Sequence, residues 1–366
     1  MFRKESDANS QDEPAVSAAP TLRRRMASWV RLACFAYVIV LVVFLIATKI
    51  FGERSSLTSI ALFVPPQFWL LPIFLLLPLV LIFQRKLLWL LLLAVLFVFF
   101  GHMNFHTSIS RSSSGKTLSI FSNNIGQRKT RTMWPFLRSE NPDVFALQEA
   151  WNHRPAISSE NPEHYVANHG EFLLASRFEI KNSGIVPGLR ARTGPIAAWF
   201  EIDFHGTPVV IYNVHMPTPR NDFERLRGAG FIYEIARLGG IYSSEARAVY
   251  KKSLQARNQL SMDFLEHLRA EQRPFLVVGD FNMPDTGYLR RLYAGELTDA
   301  FAAKGAGYGF TFPGTSKNPL TLFGPWLRID YIFAGKNWQP LSFKVEPRQP
   351  AQHLSVAAEF EFSESK

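Results

Sequence analysis

Cysteine is almost missing from the chain. Cys34 is the only one, and it lies inside an apolar stretch. Intramolecular disulfides and cysteine metal centres are therefore excluded, although the compartment is left open. Charge is also scarce, at 19% of 366 residues against 47% hydrophobic. That shortage is uneven. The first part of the chain is extremely apolar, and the rest has the composition of an ordinary soluble domain. Acid is scarcer than base: 30 Asp and Glu against 40 Lys and Arg give a net charge of +10. Such a surplus suits an anionic partner, whether nucleic acid, a lipid headgroup or a membrane surface. Basic flanks of membrane helices produce the same surplus with no ligand involved. There is no internal repeat.

The apolar residues of the first part fall into three runs, roughly Leu32 to Phe51, Ile60 to Phe83 and Leu87 to Phe105. Each is close to the ~20 residues that a membrane crossing needs. The second contains Pro65, Pro66, Pro72 and Pro78, and only Gln84, Arg85 and Lys86 separate it from the third. A re-entrant hairpin is the alternative for that pair. Ahead of the first run, residues 1–25 are polar and end in Arg23, Arg24 and Arg25. They read as a disordered basic cytoplasmic tail, and not as a signal peptide, since the basic cluster sits too far in. The positive-inside rule puts Arg23 to Arg25 and the Arg85–Lys86 pair on the cytoplasmic side. Three spans then place the loop with Glu53 and Arg54, and everything after Phe105, outside. The expected organisation is a tail over 1–25, a transmembrane region over 26–105, a Ser-rich linker over 106–116 and a catalytic domain over 117–366. RSSSGKT in the linker imitates a phosphate-binding P-loop, but Ser110 stands where the first glycine belongs and no strand precedes it.

From Lys116 onward, short apolar runs alternate with Gly, Pro and Asn, as in a strand-rich α/β domain. The clearest helix spans about Arg247 to Ala270, with Leu254, Met262, Leu265 and Leu268 near one face. Six apolar elements carry a polar group at one end. LSIFS runs into Asn123 and Asn124, DVFAL into Gln148 and Glu149, VVIY into Asn213 and His215, and FLVV into Asp280 and Asn282. Asp330 opens another strand, and His353 immediately precedes the last. Any one of these is most simply a turn residue. Together they supply hard oxygen ligands, a general base and two imidazoles, the set that metal-assisted attack on phosphorus requires.

The domain resembles the endonuclease/exonuclease/phosphatase superfamily. GDFN at Gly279 to Asn282 is the most specific element. LQE at Leu147 to Glu149, NVH at Asn213 to His215 and RIDYI at Arg328 to Ile332 stand in the expected order. The resemblance covers nearly all of Thr117 to Phe362, and the attached membrane segments resemble a bacterial branch. It implies a four-layer αββα sandwich, here preceded by a three-helix transmembrane region. It also implies a metal-dependent hydrolase using Mg²⁺, with Mn²⁺ or Ca²⁺ as substitutes. Carried over, Glu149 and Asn124 hold the metal, and Asp280 orients or deprotonates the attacking water. Asn282 and Asn213 hold phosphate oxygens or that water. His215 and His353 stabilise charge on the phosphoryl oxygens, and Asp330 fixes the His353 tautomer. Two positions depart from the pattern. The last motif, usually Ser-Asp-His, reads Ala351, Gln352, His353, and Gly126 stands where some members carry an acid. Both changes remove negative charge from the metal pocket.

The stretch from Met216 to Asn258 is rich in Arg and Lys with apolar residues mixed in. It reads as an amphipathic excursion with a solvated basic face, or as a lipid-contacting lid over the site. Arg220 is close enough in sequence to His215 to bind a second anionic group. The expected function is an extracytoplasmic, membrane-anchored phosphoesterase of the inner membrane, acting on a phosphodiester or phosphomonoester of a lipid or lipid-linked substrate. A nuclease stacking bases on Trp134, Trp151 or Trp326 is the second reading, with nucleic acid the less favoured partner. A phosphate- or partner-binding pseudoenzyme is the third. The other histidines read as peripheral: His102 and His106 at the membrane interface, and His153, His164, His169, His205 and His267 in loops or on an exposed helix.

Overall fold

The computed structural model describes residues 21–108, 113, 115–126, 133–219, 244–314, 324–348 and 351–363. The basic stretch 220–243, with Arg220, lies outside the described residues, as do Arg111, Ser112 and Ser114 of the P-loop-like stretch and residues 1–20 of the tail.

The apolar region forms helices α1 (Leu22–Ile50), α2 (Ser56–Leu62), α3 (Leu71–Phe83) and α4 (Leu88–Phe97). Among the described residues, three segments are long and apolar enough to cross a membrane: Leu22–Ile50, Pro66–Phe83 and Arg85–His102. They pack on one another through residues such as Cys34, Leu41, Val80 and Ala94, while Phe74 and Leu75 face outward, about three-quarters exposed. Two boundaries differ from the sequence expectation. The first helix begins at Leu22, so Arg23 to Arg25 form its first turn and not the end of a tail. The second long segment begins at Pro66 and not Ile60, because Pro65 and Pro66 interrupt the helix. The preceding turns become α2, which lies against the soluble domain. His102, expected at an interface, is buried between Phe44 and Trp69 and bonded to the Leu41 carbonyl oxygen.

Among the described residues the soluble domain contains fourteen strands: β1 (Thr117–Asn124), β2 (Val144–Gln148), β3 (Tyr165–His169), β4 (Phe172–Ser176), β5 (Ile180–Ile185), β6 (Arg190–Ala191), β7 (Gly194–Pro195), β8 (Ala197–Phe204), β9 (Thr207–His215), β10 (Phe275–Asp280), β11 (Thr298–Asp299), β12 (Asp330–Ala334), β13 (Trp338–Val345) and β14 (Val356–Phe362). Its helices are α5 (Trp134–Glu140), α6 (Arg154–Glu160), α7 (Ser244–Ala270), α8 (Tyr288–Ala294) and α9 (Ala300–Lys304). One six-stranded sheet has the order β13-β14-β1-β2-β4-β3, and the other β11-β12-β10-β9-β8-β5.

Side-chain alternation along the strands builds three cores. Leu118, Ile120, Val144 and Ala146 of the first sheet meet Phe200, Ile211, Leu276 and Val278 of the second. The opposite face of the first sheet packs Phe121 and Leu147 on Phe136 and Leu137 of α5 and Ile157 of α6. The opposite face of the second packs Val214 and Val277 on Phe264, Leu265 and Leu268 of α7 and Leu289 and Tyr293 of α8. The order is therefore helix, sheet, sheet, helix, as expected. Met262, assigned to the buried face of α7, is exposed.

Register sets where the polar strand ends fall. β1 and β2 are parallel, with Asn124 opposite Gln148. β9 and β10 are parallel, with His215 opposite Asp280. Antiparallel β12 begins there too, Asp330 facing Asp280. The two sheets thus bring their polar ends to one end of the sandwich.

Candidate active site

The chain reaches this end through unusual backbone. Gly279 has φ +137°, and a Cβ there would lie 2.0 Å from the Val214 carbonyl oxygen. Only glycine lets β10 come this close to β9. Asn282 (φ +47°) and Glu149 (φ +55°) are both left-handed. Asn tolerates that region. Glu149 does so at a cost of about 1 kcal/mol or more, the kind of strain found at functional sites.

Asp280, 1% exposed, is the hub. Its Oδ1 accepts the Asn282 backbone N–H at 2.8 Å. Its Oδ2 accepts from the Asn124 amide at 3.0 Å and the Asn282 amide at 3.1 Å. The same Oδ2 lies 3.7 Å from His215 Nε2 and 3.8 Å from His353 Nε2. Asn124 also reaches Glu149 Oε1 at 3.3 Å, while its own oxygen accepts the Gly126 N–H. Burial raises the Asp280 carboxyl above the ordinary range, and Asp330 adds to this, against the pull of His353 and His215. A carboxylate so raised is a stronger base.

The imidazoles flank Asp280 in matching ways. His353 Nδ1 lies 3.1 Å from Asp330 Oδ2 and 3.2 Å from Oδ1. His215 Nδ1 lies 3.0 Å from Glu171 Oε2. Each carboxylate accepts from Nδ1–H and leaves Nε2 facing Asp280. Burial pulls both imidazoles down. For His215 the Glu171 bond and the Asp280 charge outweigh it, and for His353 the Asp330 and Asp280 charges do. Both end at about 9. At neutral pH both imidazoles are therefore protonated, His353 between Asp280 and Asp330 and His215 between Asp280 and Glu171. Glu171 was not among the residues expected from sequence.

Comparison with known proteins fits this geometry. The profile of the Endonuclease/Exonuclease/phosphatase family matches residues 124–352, more than half of the chain. The chain belongs to that family. It is thus a hydrolase of the nuclease/phosphatase kind. No curated protein sequence matches it. Among solved structures it is similar to humanized D. rerio TDP2, with 16% identity over 67% of this chain and 99% of that one, TM-score 0.46. A family protein from Leptotrichia buccalis C-1013-b has 14% identity over 67% of this chain and 100% of that one, TM-score 0.47. The 3′ phosphatase NExo from Neisseria, bound to product DNA hairpin, has 16% identity over 67% and 100%, TM-score 0.44.

Members of the family generally use a divalent metal, and the donors present fit one. Glu149 offers a hard carboxylate beside Asn124 and Asp280. Asp280, Asp330 and His353 also have ligand atoms all within 4.8 Å of one another, although Asp330 and His353 already face each other as a bonded pair. The two departures from the family pattern touch. A Cβ on Gly126 would lie 2.9 Å from Gln352 Oε1, so a neutral amide oxygen fills the pocket edge. Mg²⁺ keeps several waters and typically uses one or two carboxylates, a number that Glu149 and Asp280 would supply without an acid at 352.

Asn213 differs from its expected place. It is fully buried. Its amide donates to the Leu147 and Leu173 carbonyl oxygens at 3.0 and 3.1 Å, and its oxygen accepts from Gln148 at 2.7 Å. It ties the two sheets together below the mouth and has no group left for phosphate. Asn282 reaches the site but spends its amide on Asp280 and, at 2.9 Å, the Met216 carbonyl oxygen. Arg328 has a structural role that sequence reading missed. It is buried, paired with Asp285 and Asp299, and stacked 4.3 Å from the Tyr331 ring. It thereby fixes the start of β12 to the loop after Asn282. Of the three tryptophans named for base stacking, Trp326 is buried, Trp134 packs against the core beneath α5, and Trp151 is 49% exposed.

Proposed function

We propose that the chain is a metal-dependent phosphoesterase acting at a membrane surface, on a phosphodiester or phosphomonoester of a lipid or lipid-linked molecule. One observation carries the hydrolase reading: Asn124, Asn282, His215 and His353 all converge on Oδ2 of Asp280. A base held between two cations and held still by two amides suits in-line attack of water on a bound phosphate anion.

The substrate phosphoryl oxygens sit against the two Nε2–H groups. Asp280 takes a proton from water as the water oxygen bonds to phosphorus. The ester P–O bond breaks on the opposite side, and the departing oxygen takes a proton from an imidazolium. Asp330 and Glu171 keep both imidazoles oriented, and keep them charged until that proton is given. Glu149 with Asn124 would hold a divalent cation, which would supply Lewis-acid charge at the phosphate.

The membrane placement rests on contacts across the chain. Tyr250 on α7 donates to Ser59 Oγ at 2.9 Å, and Trp326 Nε1 donates to the Phe63 carbonyl oxygen at 3.3 Å. Asn104, after the third apolar segment, donates to Asp285. The loop between the first two segments and the exit of the third thus lie on the domain's side. Arg23 to Arg25 and Arg85–Lys86 lie at the other ends of those segments, which the positive-inside rule makes cytoplasmic. The domain is then extracytoplasmic, periplasmic for an inner-membrane protein. These contacts also meet the loops at the catalytic end of the sandwich, which favours a substrate in the membrane.

The test uses the full chain in liposomes with Mg²⁺, offered a lipid phosphoester, bis-p-nitrophenyl phosphate and plasmid DNA. Hydrolysis should exceed that of an Asp280→Ala, His353→Ala double variant. No difference across Mg²⁺, Mn²⁺ and Ca²⁺ would leave a pseudoenzyme. Cleavage of DNA with lipid untouched would make it a nuclease. A C-terminal alkaline-phosphatase fusion should be active, and an inactive one would invert the topology.

A further inference from the structure

The turn after the first apolar helix is held firmly on the domain. Glu53, in the turn Gly52–Arg54, is fully buried. Its Oε2 accepts the Leu289 N–H of α8 at 3.1 Å, and its carbonyl oxygen accepts the Asn258 amide of α7 at 2.7 Å. A Cβ on Gly52 would lie 2.4 Å from the Tyr288 nitrogen, so the turn and α8 are in close contact. This fit places the next residue, Arg54. Its guanidinium carbon stands 5.1 Å from the centre of the Tyr288 ring, and that of Arg291, three residues along α8, stands 5.6 Å from the same centre. A tyrosine face attracts a cation, but it carries no net charge to offset two. Both arginines are exposed, and among the described residues neither meets a carboxylate. Two guanidiniums are thus gathered on one ring without a counter-charge.

Phe51 and Leu57 flank Arg54 in the chain and are 53% and 79% exposed. Phe51 caps the first apolar helix, and Leu57 lies on α2. The outer boundary of the acyl chains is a better solvent for both than water is. The same surface continues onto α7, where Tyr250 donates to Ser59 Oγ of α2. Lys251 and Lys252, next to Tyr250, are exposed. Apolar side chains set among cations suit the plane where acyl chains give way to headgroups. A guanidinium fork also matches phosphate oxygens better than a point charge does. We propose that Arg54 and Arg291 form a binding site for the headgroup phosphate of an anionic phospholipid, with Phe51 and Leu57 against its acyl chains. The site shares no residue with the cluster around Asp280, so this lipid is a bound partner and not the substrate. The proposal rests on the membrane placement given above and not on hydrolysis.

The test titrates phosphatidylglycerol or phosphatidylcholine onto full-length protein in detergent and reads the first lipid-binding step by native mass spectrometry. Variants are Arg54→Gln, Arg291→Gln, the double Gln variant and Arg54→Lys. The control is Lys336→Gln, an exposed cation in the turn between β12 and β13, at the far end of the sandwich. The clusters Arg23 to Arg25 and Arg85–Lys86 are present in every sample, so differences between variants report the pair. Each single Gln variant should weaken the first phosphatidylglycerol step about fivefold. The double variant should bring it down to the level of phosphatidylcholine. Arg54→Lys should bind better than Arg54→Gln, and Lys336→Gln should match the unaltered protein. A first step unchanged in the double variant, or weakened as much by Lys336→Gln, would overturn the proposal. Displacement of the lipid by an equal concentration of inorganic phosphate would overturn it too, by making the pair a site for free phosphate. If the double variant does not fold, the single variants decide. If alkaline carbonate strips the protein from membranes, the membrane placement fails by itself, and the same titration still decides whether the two arginines hold a headgroup.

Discussion

Replacing Asp330 with Asn preserves shape but removes the charge that keeps His353 protonated. In the intact site burial pulls His353 down, and Asp330 and Asp280 overcome it, leaving a pKa of about 9. At pH 7.5 the imidazolium then outnumbers the neutral ring by roughly 30 to 1. Without Asp330, burial loses its main opponent. A ring returned even to its ordinary value of 6.5 is neutral by about 10 to 1 at pH 7.5. The rate at that pH should fall about tenfold and recover toward pH 6. Measured as kcat/KM against pH on a soluble phosphodiester, the alkaline limb of the wild type should fall as pH rises through about 9. The variant should decline through about 6.5 or below. Stability should follow the same sign. The folded-state value is raised, so the contribution is fully present below 6.5 and is lost as pH rises through about 9. It amounts to about 3 kcal/mol, so Asp330→Asn should depress Tm at pH 6 far more than at pH 10. Superimposable pH profiles for the two proteins would refute this account of the dyad.

Glu171→Gln should move the alkaline limb set by His215 in the same direction, from about 9 toward neutrality; a limb that stays in place would show that Glu171 does not hold His215 charged. Arg328→Met leaves Asp285 and Asp299 with Arg290 as their one shared cation among the described residues and should cost about 3 kcal/mol, read as Tm in detergent, and a change under about 1 kcal/mol would contradict the network. Gln352→Asp places a carboxylate where the amide oxygen now meets Gly126, and should tighten Mg²⁺ or Mn²⁺ binding about tenfold by calorimetry; an unchanged affinity would place the metal elsewhere.

The two sheets and the hub were legible because they depend on short patterns. Phe275 to Val278 are buried on both faces, so the run reads as a strand, and the polar groups that follow it have nowhere to go but a site. Asn213 was misread for a reason of depth. It shares a face with His215, two residues away, and so points between the sheets. Two residues also set it about 6.6 Å below the mouth, where the packed sheets close over it. Glu171 gave no local signal at all. It follows Gly170 in the hairpin between β3 and β4, and such a Gly-Glu pair reads as an ordinary turn. Only the pairing of distant strands brings its carboxylate to His215. The one trace was Gly170 itself, whose φ of +65° makes the tight turn that aims the next residue.

The contacts between the apolar region and the domain were illegible for the same reason. Asn104 meets Asp285, Glu53 meets Leu289 and Asn258, Ser59 meets Tyr250, and Phe63 meets Trp326. Two of these five reach the stretch from Asn282 to Leu289, one reaches the approach to Asp330, and two reach α7. A tether that served only to hold the domain near a bilayer could attach to any face of the sandwich. This one grips the two loops that carry the base and the partner of its histidine. The contacts are side-chain bonds in buried surroundings, where pairing fixes geometry closely. An anchor built this way fixes the orientation of the catalytic mouth relative to the apolar helices, not merely its distance from them. Orientation is of no use for a substrate that diffuses in three dimensions. It matters for one whose own position and tilt are already set by a membrane, because the entropy of alignment is then removed on both sides before they meet.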